Sequence, residues 1–158
     1  MPIRAAGDVT IRSSGPAHTT ALAARLARVA RPGDVICLTG ELGAGKTVFA
    51  KGFGIGLGTT TTIASPSFIL MAEHDGRLPL FHLDLYRLEG PRAAIDSGLL
   101  DERQASGVTV IEWPDRLGAA LPETRLDVEL EVTGHSERSI TIRAVGDGLD
   151  RYLEAAAA

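Results

Sequence analysis

The sequence predicts an α/β domain, and three observations carry that expectation. The run Gly40-Glu41-Leu42-Gly43-Ala44-Gly45-Lys46-Thr47 matches G-x-x-x-x-G-K-[ST] at every fixed position. An apolar stretch over 34–39 precedes it, announced by the turn pair Pro32-Gly33, and residues 48–53 continue as a helix. Two further apolar runs each end in an acid, Asp84 and Glu112. A strand, a glycine loop and a helix in succession aim several backbone N–H groups and a helix N-terminus at one anion. In such a loop Lys46 supplies a point charge for the β- and γ-phosphates, and the Thr47 hydroxyl is a ligand for Mg²⁺.

The elements follow in order. Residues 9–12 form a short strand, and Ser13-Ser14-Gly15-Pro16 is turn and cap chemistry. Residues 19–30 read as a helix, with Leu22, Leu26 and Val29 on one face and Arg25 and Arg28 off it. After the loop helix, Gly54-Ile55-Gly56-Leu57-Gly58 has a dinucleotide-like spacing but follows a helix, so it reads as a helix end and turn. Residues 59–63 are a polar, β-branched run, and Ser65-Pro66-Ser67-Phe68 is a turn feeding a strand over 68–72. Asp75-Gly76 signals a hairpin, returning along 78–85, where Leu80, His82 and Asp84 share one face. Residues 91–100 are helical or mixed, and 108–112 form a short buried strand. Trp113-Pro114-Asp115 starts a short helix or turn. Two alternating strands, 125–132 and 139–145, flank a polar turn, and 149–158 is a terminal helix whose four alanines are expected to fray.

The length of 158 residues fits a single domain over 1–158. The net charge of −4 and the presence of only two lysines, Lys46 and Lys51, argue against a chain that grips nucleic acid by itself. The single cysteine, Cys37, reads as a small core residue. The N-terminal residues lack the apolar region of a signal peptide. Residues 52–72 are uncharged, but four glycines, four threonines and a proline make them a poor membrane span. The cytoplasm is the expected compartment.

A phosphate loop works with a metal ion, and an acid at the end of a neighbouring strand commonly holds it. Glu112 and Asp84 are both candidates, facing the crevice at the carboxyl ends of parallel strands. His82 lies beside them and reads as a packed, hydrogen-bonded histidine. Trp113 fits a core position or a partner contact equally. His18, His74 and His135 read as surface loop residues. No Cys/His cluster has zinc-site spacing.

With the loop, Ser65-Pro66-Ser67-Phe68, His82-Leu83-Asp84-Leu85-Tyr86-Arg87 and Glu112-Trp113-Pro114 in the same order and at close to the same spacing, the sequence resembles the TsaE family over nearly its whole length. That family comprises small bacterial ATPases needed to make threonylcarbamoyladenosine in tRNA. The resemblance implies a P-loop NTPase fold around a central, mostly parallel or mixed sheet flanked by helices. It implies ATP and Mg²⁺ as cofactors, slow hydrolysis, and TsaB and TsaD as partners, with tRNA reached only through them. Carried over by position, Gly43, Ala44, Gly45, Lys46, Thr47 and Val48 wrap the phosphates, Thr47 and Glu112 ligate magnesium, and Asp84 serves hydrolysis. Residues 65–68 correspond to a switch-like loop, Trp113 falls beside the site, and Arg138 matches a late arginine near the nucleotide base. Val48 stands where the family often has a second threonine, and Ser67 where threonine is commoner.

Two other readings share the phosphate loop. A small-molecule or nucleoside kinase would use Arg87, Arg92 and Arg103 as a closing clamp, although no acceptor-binding insert is evident. A non-catalytic nucleotide-sensing module would present a surface that changes with the bound nucleotide.

Overall fold

The structure, a computed structural model, describes residues 8–60, 71–96 and 102–158. The expected turn at Ser65–Phe68, residues 68–70 of the strand beyond it and residues 97–100 of the expected helix lie outside the described residues. The elements are β1 (Asp8–Ser13), α1 (Pro16–Ala27), β2 (Val35–Thr39), α2 (Lys46–Gly56), β3 (Met71–His74), β4 (Leu80–Asp84), α3 (Pro91–Asp96), β5 (Val108–Glu112), β6 (Arg125–Val132), β7 (Arg138–Val145) and α4 (Asp150–Ala157). Short 3₁₀ segments at Glu102–Ser106 and Pro114–Ala120 flank β5.

The seven described strands form one mixed sheet in the order β1-β7-β6-β2-β5-β4-β3. Its centre is parallel, since β2 pairs with both β5 and β6 and β5 pairs with β4. Its margins are antiparallel hairpin partners, β6 with β7 and β3 with β4, and β1 closes onto β7. The Asp75-Gly76 hairpin therefore forms as expected, with Met71 opposite Leu83 and His74 opposite Leu80. His74 ends β3 and is half-buried, in contrast to the surface loop position expected for it.

Alternation in the buried strands divides the core between two layers. Ile36 and Leu38 of β2, with Val108 and Val110 of β5, pack under α1, α2 and α4. Cys37, Ile111, Phe81 and Leu83 pack on the other face with Leu117 of the 3₁₀ segment. Helices α1 and α2 approach so closely that a Cβ on Gly56 would lie 2.3 Å from the Ala24 carbonyl oxygen, and one on Gly52 2.6 Å from that of Thr20. The glycine pattern after the loop is thus a helix seam ending at Gly56, and residues 54–58 do finish the helix. The terminal alanines continue the helix: α4 runs to Ala157 and Ala156 is buried. Arg25 explains this, because its guanidinium donates to the carbonyls of Ala155 and Ala156 at 2.8 and 3.1 Å, groups a helix end leaves without intrahelical donors.

Candidate functional site

The parallel strands β2, β4 and β5 deliver their carboxyl ends to one edge of the sheet, and the loop joining β2 to α2 lies there. Gly40 and Gly45 each meet a requirement that a side chain would violate. Gly40 has φ +147° and sits where a Cβ would come 2.5 Å from the Leu130 carbonyl oxygen. Gly45, at φ 102°, is the left-handed residue that opens α2. The first helical bond runs from the Phe49 N–H to Gly45, so the N–H groups of Lys46, Thr47 and Val48 are those a helix start leaves for an outside acceptor.

Lys46 is 5% exposed. Its ammonium donates to the Gly40 carbonyl and, at 3.3 Å, to that of Glu41, and it lies 3.9 Å from the centre of the Trp113 ring. Burial holds its pKa below the ordinary lysine value, opposed by the charge of Glu112 and then Asp84. Lys46 therefore folds back across the loop onto two carbonyls, a placement that leaves its charge available to an incoming anion.

Glu112 is the last residue of β5 and is 3% exposed. The Thr47 hydroxyl donates to its two carboxylate oxygens at 3.3 and 3.4 Å, from the first turn of α2. His82 Nε2 lies 2.7 Å from Glu112 Oε2. Asp84 is the register partner of Glu112 across the β4–β5 pair, so both carboxylates rise from the same face. Asp84 Oδ1 also accepts the Tyr86 N–H at 3.1 Å. A cavity of about 340 Å³ is lined by Gly43, Gly45, Lys46, Thr47, Val48, Asp84, Glu112 and Trp113, joined by Leu42 and Tyr86. Of the residues expected from the sequence, Gly43, Gly45, Lys46, Thr47, Val48, Asp84 and Glu112 line this one cavity, and Ala44 and Arg138 do not.

Arg138, at the start of β7, braces the loop from its other side. Its guanidinium donates to the carbonyls of Ala44 and Gly43 at 3.1 and 3.0 Å. It also borders a second cavity of about 230 Å³, which shares Gly43, Gly45 and Val48 with the first and is lined further by Ala44, Thr19 and His135. Leu42 and Tyr86, for which no sequence motif specifies a role, are exposed apolar surfaces at the rim. Arg116 lies 5.8 Å from the Trp113 ring and donates to the Tyr86 carbonyl. Trp113 itself adopts φ 61°, ψ 53°, left-handed backbone that a large side chain seldom takes. Such local strain persists only where surrounding contacts fix it, and here the ring is 3.9 Å from the Lys46 ammonium and 5.8 Å from the Arg116 guanidinium, with the Tyr86 ring 5.0 Å away.

The donors at the Thr47–Glu112 pair are a hydroxyl and a carboxylate, with a second carboxylate on the neighbouring strand. That set suits a hard divalent cation. Among the described residues no group of three His, Cys, Asp or Glu side chains forms a complete metal cage. An ion here would take ligands beyond these described side chains, as Mg²⁺ does when it is held by one or two carboxylates and substrate phosphates.

Residues 13–140 match the family model described as threonylcarbamoyl adenosine biosynthesis protein TsaE. The chain belongs to the TsaE family. The TsaE protein of Bacillus subtilis, named as a tRNA threonylcarbamoyladenosine biosynthesis protein, is 42% identical over 144 residues, covering 90% of each chain. The Streptomyces coelicolor protein of the same name is 37% identical over 134 residues, 80% of this chain and 90% of its own. The crystal structure of Bacillus subtilis YdiB superposes with a TM-score of 0.76 at 37% identity, covering 95% of this chain and 94% of that one. The fold is that of a P-loop NTPase, and TsaE membership with this fold points to a nucleotide-binding protein. The TsaE match spans the loop, Asp84, Glu112 and Arg138 and ends before α4.

Proposed function

We propose that the chain binds ATP with Mg²⁺, hydrolyses it slowly, and serves formation of the threonylcarbamoyl group on adenosine in tRNA together with TsaB and TsaD. The observation that carries this reading is the convergence of the Lys46–Thr47 helix start with Glu112 and Asp84 on adjacent parallel strands. Gly43, Ala44, Gly45, Lys46, Thr47 and Val48 bind the phosphates through backbone N–H groups and the Lys46 ammonium. Arg138 holds the loop by its carbonyls and borders the cavity offered to the base. Thr47 and Glu112 would hold Mg²⁺, which when bound supplies positive charge to the β- and γ-phosphate oxygens.

The Asp84 carboxylate accepts a hydrogen bond from water and turns its oxygen toward the γ-phosphorus. As the new P–O bond forms, the bond to the β-phosphate oxygen breaks, and charge gathers on that leaving oxygen. The loop N–H groups and Lys46 donate to it there. The water proton passes to Asp84 or to the departing phosphate.

Two features support dependence on partners. No motif places an arginine over the phosphates, and Arg116, beside Trp113, is tied to the Tyr86 carbonyl and Asp115. Elsewhere Arg25, Arg77, Arg138 and Arg151 direct their guanidinium groups to backbone carbonyls, and Arg143 pairs with Asp8. With a net charge of −4, that use of arginine supports a tRNA contact made through TsaB and TsaD. Among the described residues no helix is long and apolar enough to cross a membrane, which accords with work in the cytoplasm.

The test is ATP turnover by the wild-type protein and by Asp84→Asn, each alone and with purified TsaB and TsaD. Slow turnover alone is expected, rising by about 10³-fold or more if a partner supplies an arginine. Asp84→Asn is expected to bind ATP normally and hydrolyse it about 10²-fold more slowly. Wild-type turnover in Asp84→Asn removes its role, and indifference to the partners removes the assembly.

A further inference from the structure

We propose that His82 is a positioning residue that holds the Glu112 carboxylate in place for the divalent cation. The inference rests on the reading of Glu112 as a ligand of that cation. His82 is fully buried, at 0% exposure, in the middle of β4. It stands two residues before Asp84 on the same face, so its ring reaches toward the end of β5. Its Nε2 is 2.7 Å from Glu112 Oε2, while its Nδ1 is buried with no hydrogen-bond partner among the described residues.

That asymmetry assigns the proton. A neutral imidazole carries one N–H. On Nδ1 the proton would be a buried donor without an acceptor, and a bare Nε2 lone pair would face a carboxylate at 2.7 Å. On Nε2 it donates to Oε2, and the unpartnered Nδ1 is only an unused acceptor. His82 therefore fixes one oxygen of Glu112 from β4, while Thr47 approaches the same carboxylate from α2 at 3.3 and 3.4 Å. Without the histidine, Glu112 is free to turn toward the Lys46 ammonium, on which it is the strongest neighbouring charge. That ion pair would take the carboxylate from the cation and the ammonium from the phosphates. Outer hydrogen bonds to ligating carboxylates commonly govern metal affinity in this way.

The experiment compares two amides. In His82→Gln the side-chain N–H₂ stands near the place of Nε2 and still donates to Glu112. In His82→Asn it stands near the place of Nδ1 and does not reach. ATP affinity is measured by calorimetry in EDTA and in saturating Mg²⁺, and the gain between the two is the readout. The wild type is expected to show a gain and Glu112→Gln to lose it. His82→Asn is expected to lower the gain by about 10- to 100-fold with the EDTA affinity unchanged, and His82→Gln to keep most of it. His82→Phe, which keeps a ring and removes the donor, replaces the asparagine variant if that one does not fold. Equal gains in the asparagine and glutamine variants, or equal losses with and without Mg²⁺, overturn the role of His82 while Glu112 stands. A wild type without a gain, or Glu112→Gln with the full gain, overturns the reading of Glu112 and this inference with it.

Discussion

Strand β2 has two ends, and they are built on opposite rules. At its start, Asp34 Oδ2 accepts the Arg31 N–H at 2.9 Å, the Tyr152 hydroxyl and the Arg151 guanidinium. Burial and the bond to Asp34 push the Tyr152 hydroxyl well above the usual tyrosine range. Each charged or polar side chain there has its partner within the chain, and together they fasten α4 to the sheet. At the other end, Lys46 rests on carbonyls of its own loop, Trp113 sits in left-handed backbone, and His82 keeps an unused nitrogen. The polar groups there are arranged for something that arrives from outside. The difference teaches which end to read for stability and which for function, since local rules are broken where a site is built and kept where only the fold is served.

Replacing Lys46 with alanine is the strongest way to break that comparison. ATP affinity is expected to fall by about 10²-fold or more, because a charge-assisted contact to the phosphates is lost. Stability in a urea titration is expected to stay level or rise, since burial already disfavours the charged amine in the empty loop. Unchanged ATP affinity in a folded Lys46→Ala protein would refute the assignment of the loop. A large loss of stability would show that this end, too, is fastened by its own contacts.

Asp34→Ala is the mirror experiment. It strands Arg151 and Tyr152, whose partner is 10% exposed, so solvent softens the penalty. A loss of about 2 kcal/mol in urea unfolding is expected, with ATP affinity altered by less than about twofold. If nucleotide binding falls with stability, the two ends are coupled through β2 and do not serve separate purposes.

What the sequence made visible follows the same division by range of interaction. The loop, the acids at the ends of β4 and β5, and both strands of the β6–β7 hairpin rest on neighbours in the chain, and all were legible. The partner of His82 was not, because Glu112 lies thirty residues away and meets it only through the β4–β5 register. The period-2 pattern of Leu80, His82 and Asp84 held part of that signal, as it placed the histidine and the acid on one face. Arg138 reaches carbonyls more than ninety residues back, and Arg25 reaches the end of α4, 130 residues ahead. The position of β6 between β2 and β7 likewise depends on which strands pair, which no local pattern specifies. Trp113 carried no sign of its left-handed backbone, because the ring contacts that hold it come from three separate elements.

The smallest expected effect belongs to Cys37, midway along β2 and part of neither end. It is buried on the face away from α2, and burial pushes its thiol from 9.0 up to about 12, with Asp127 adding to the shift. The folded chain therefore keeps the proton over a pH range in which the unfolded chain has released it. Stability contributed by this group is complete below the unfolded value and declines as pH rises above it, because the native state binds the extra proton. From about pH 8.5 to about pH 10 the loss is about 1 kcal/mol. Urea unfolding of the wild type and of Cys37→Ala across that interval isolates the effect, since every other group titrates alike in both. The wild-type curve is expected to fall more steeply than that of the variant. Parallel curves would show that the middle of β2 admits enough water to carry a thiolate, and that the dry centre separating the two ends is not as closed as its packing indicates.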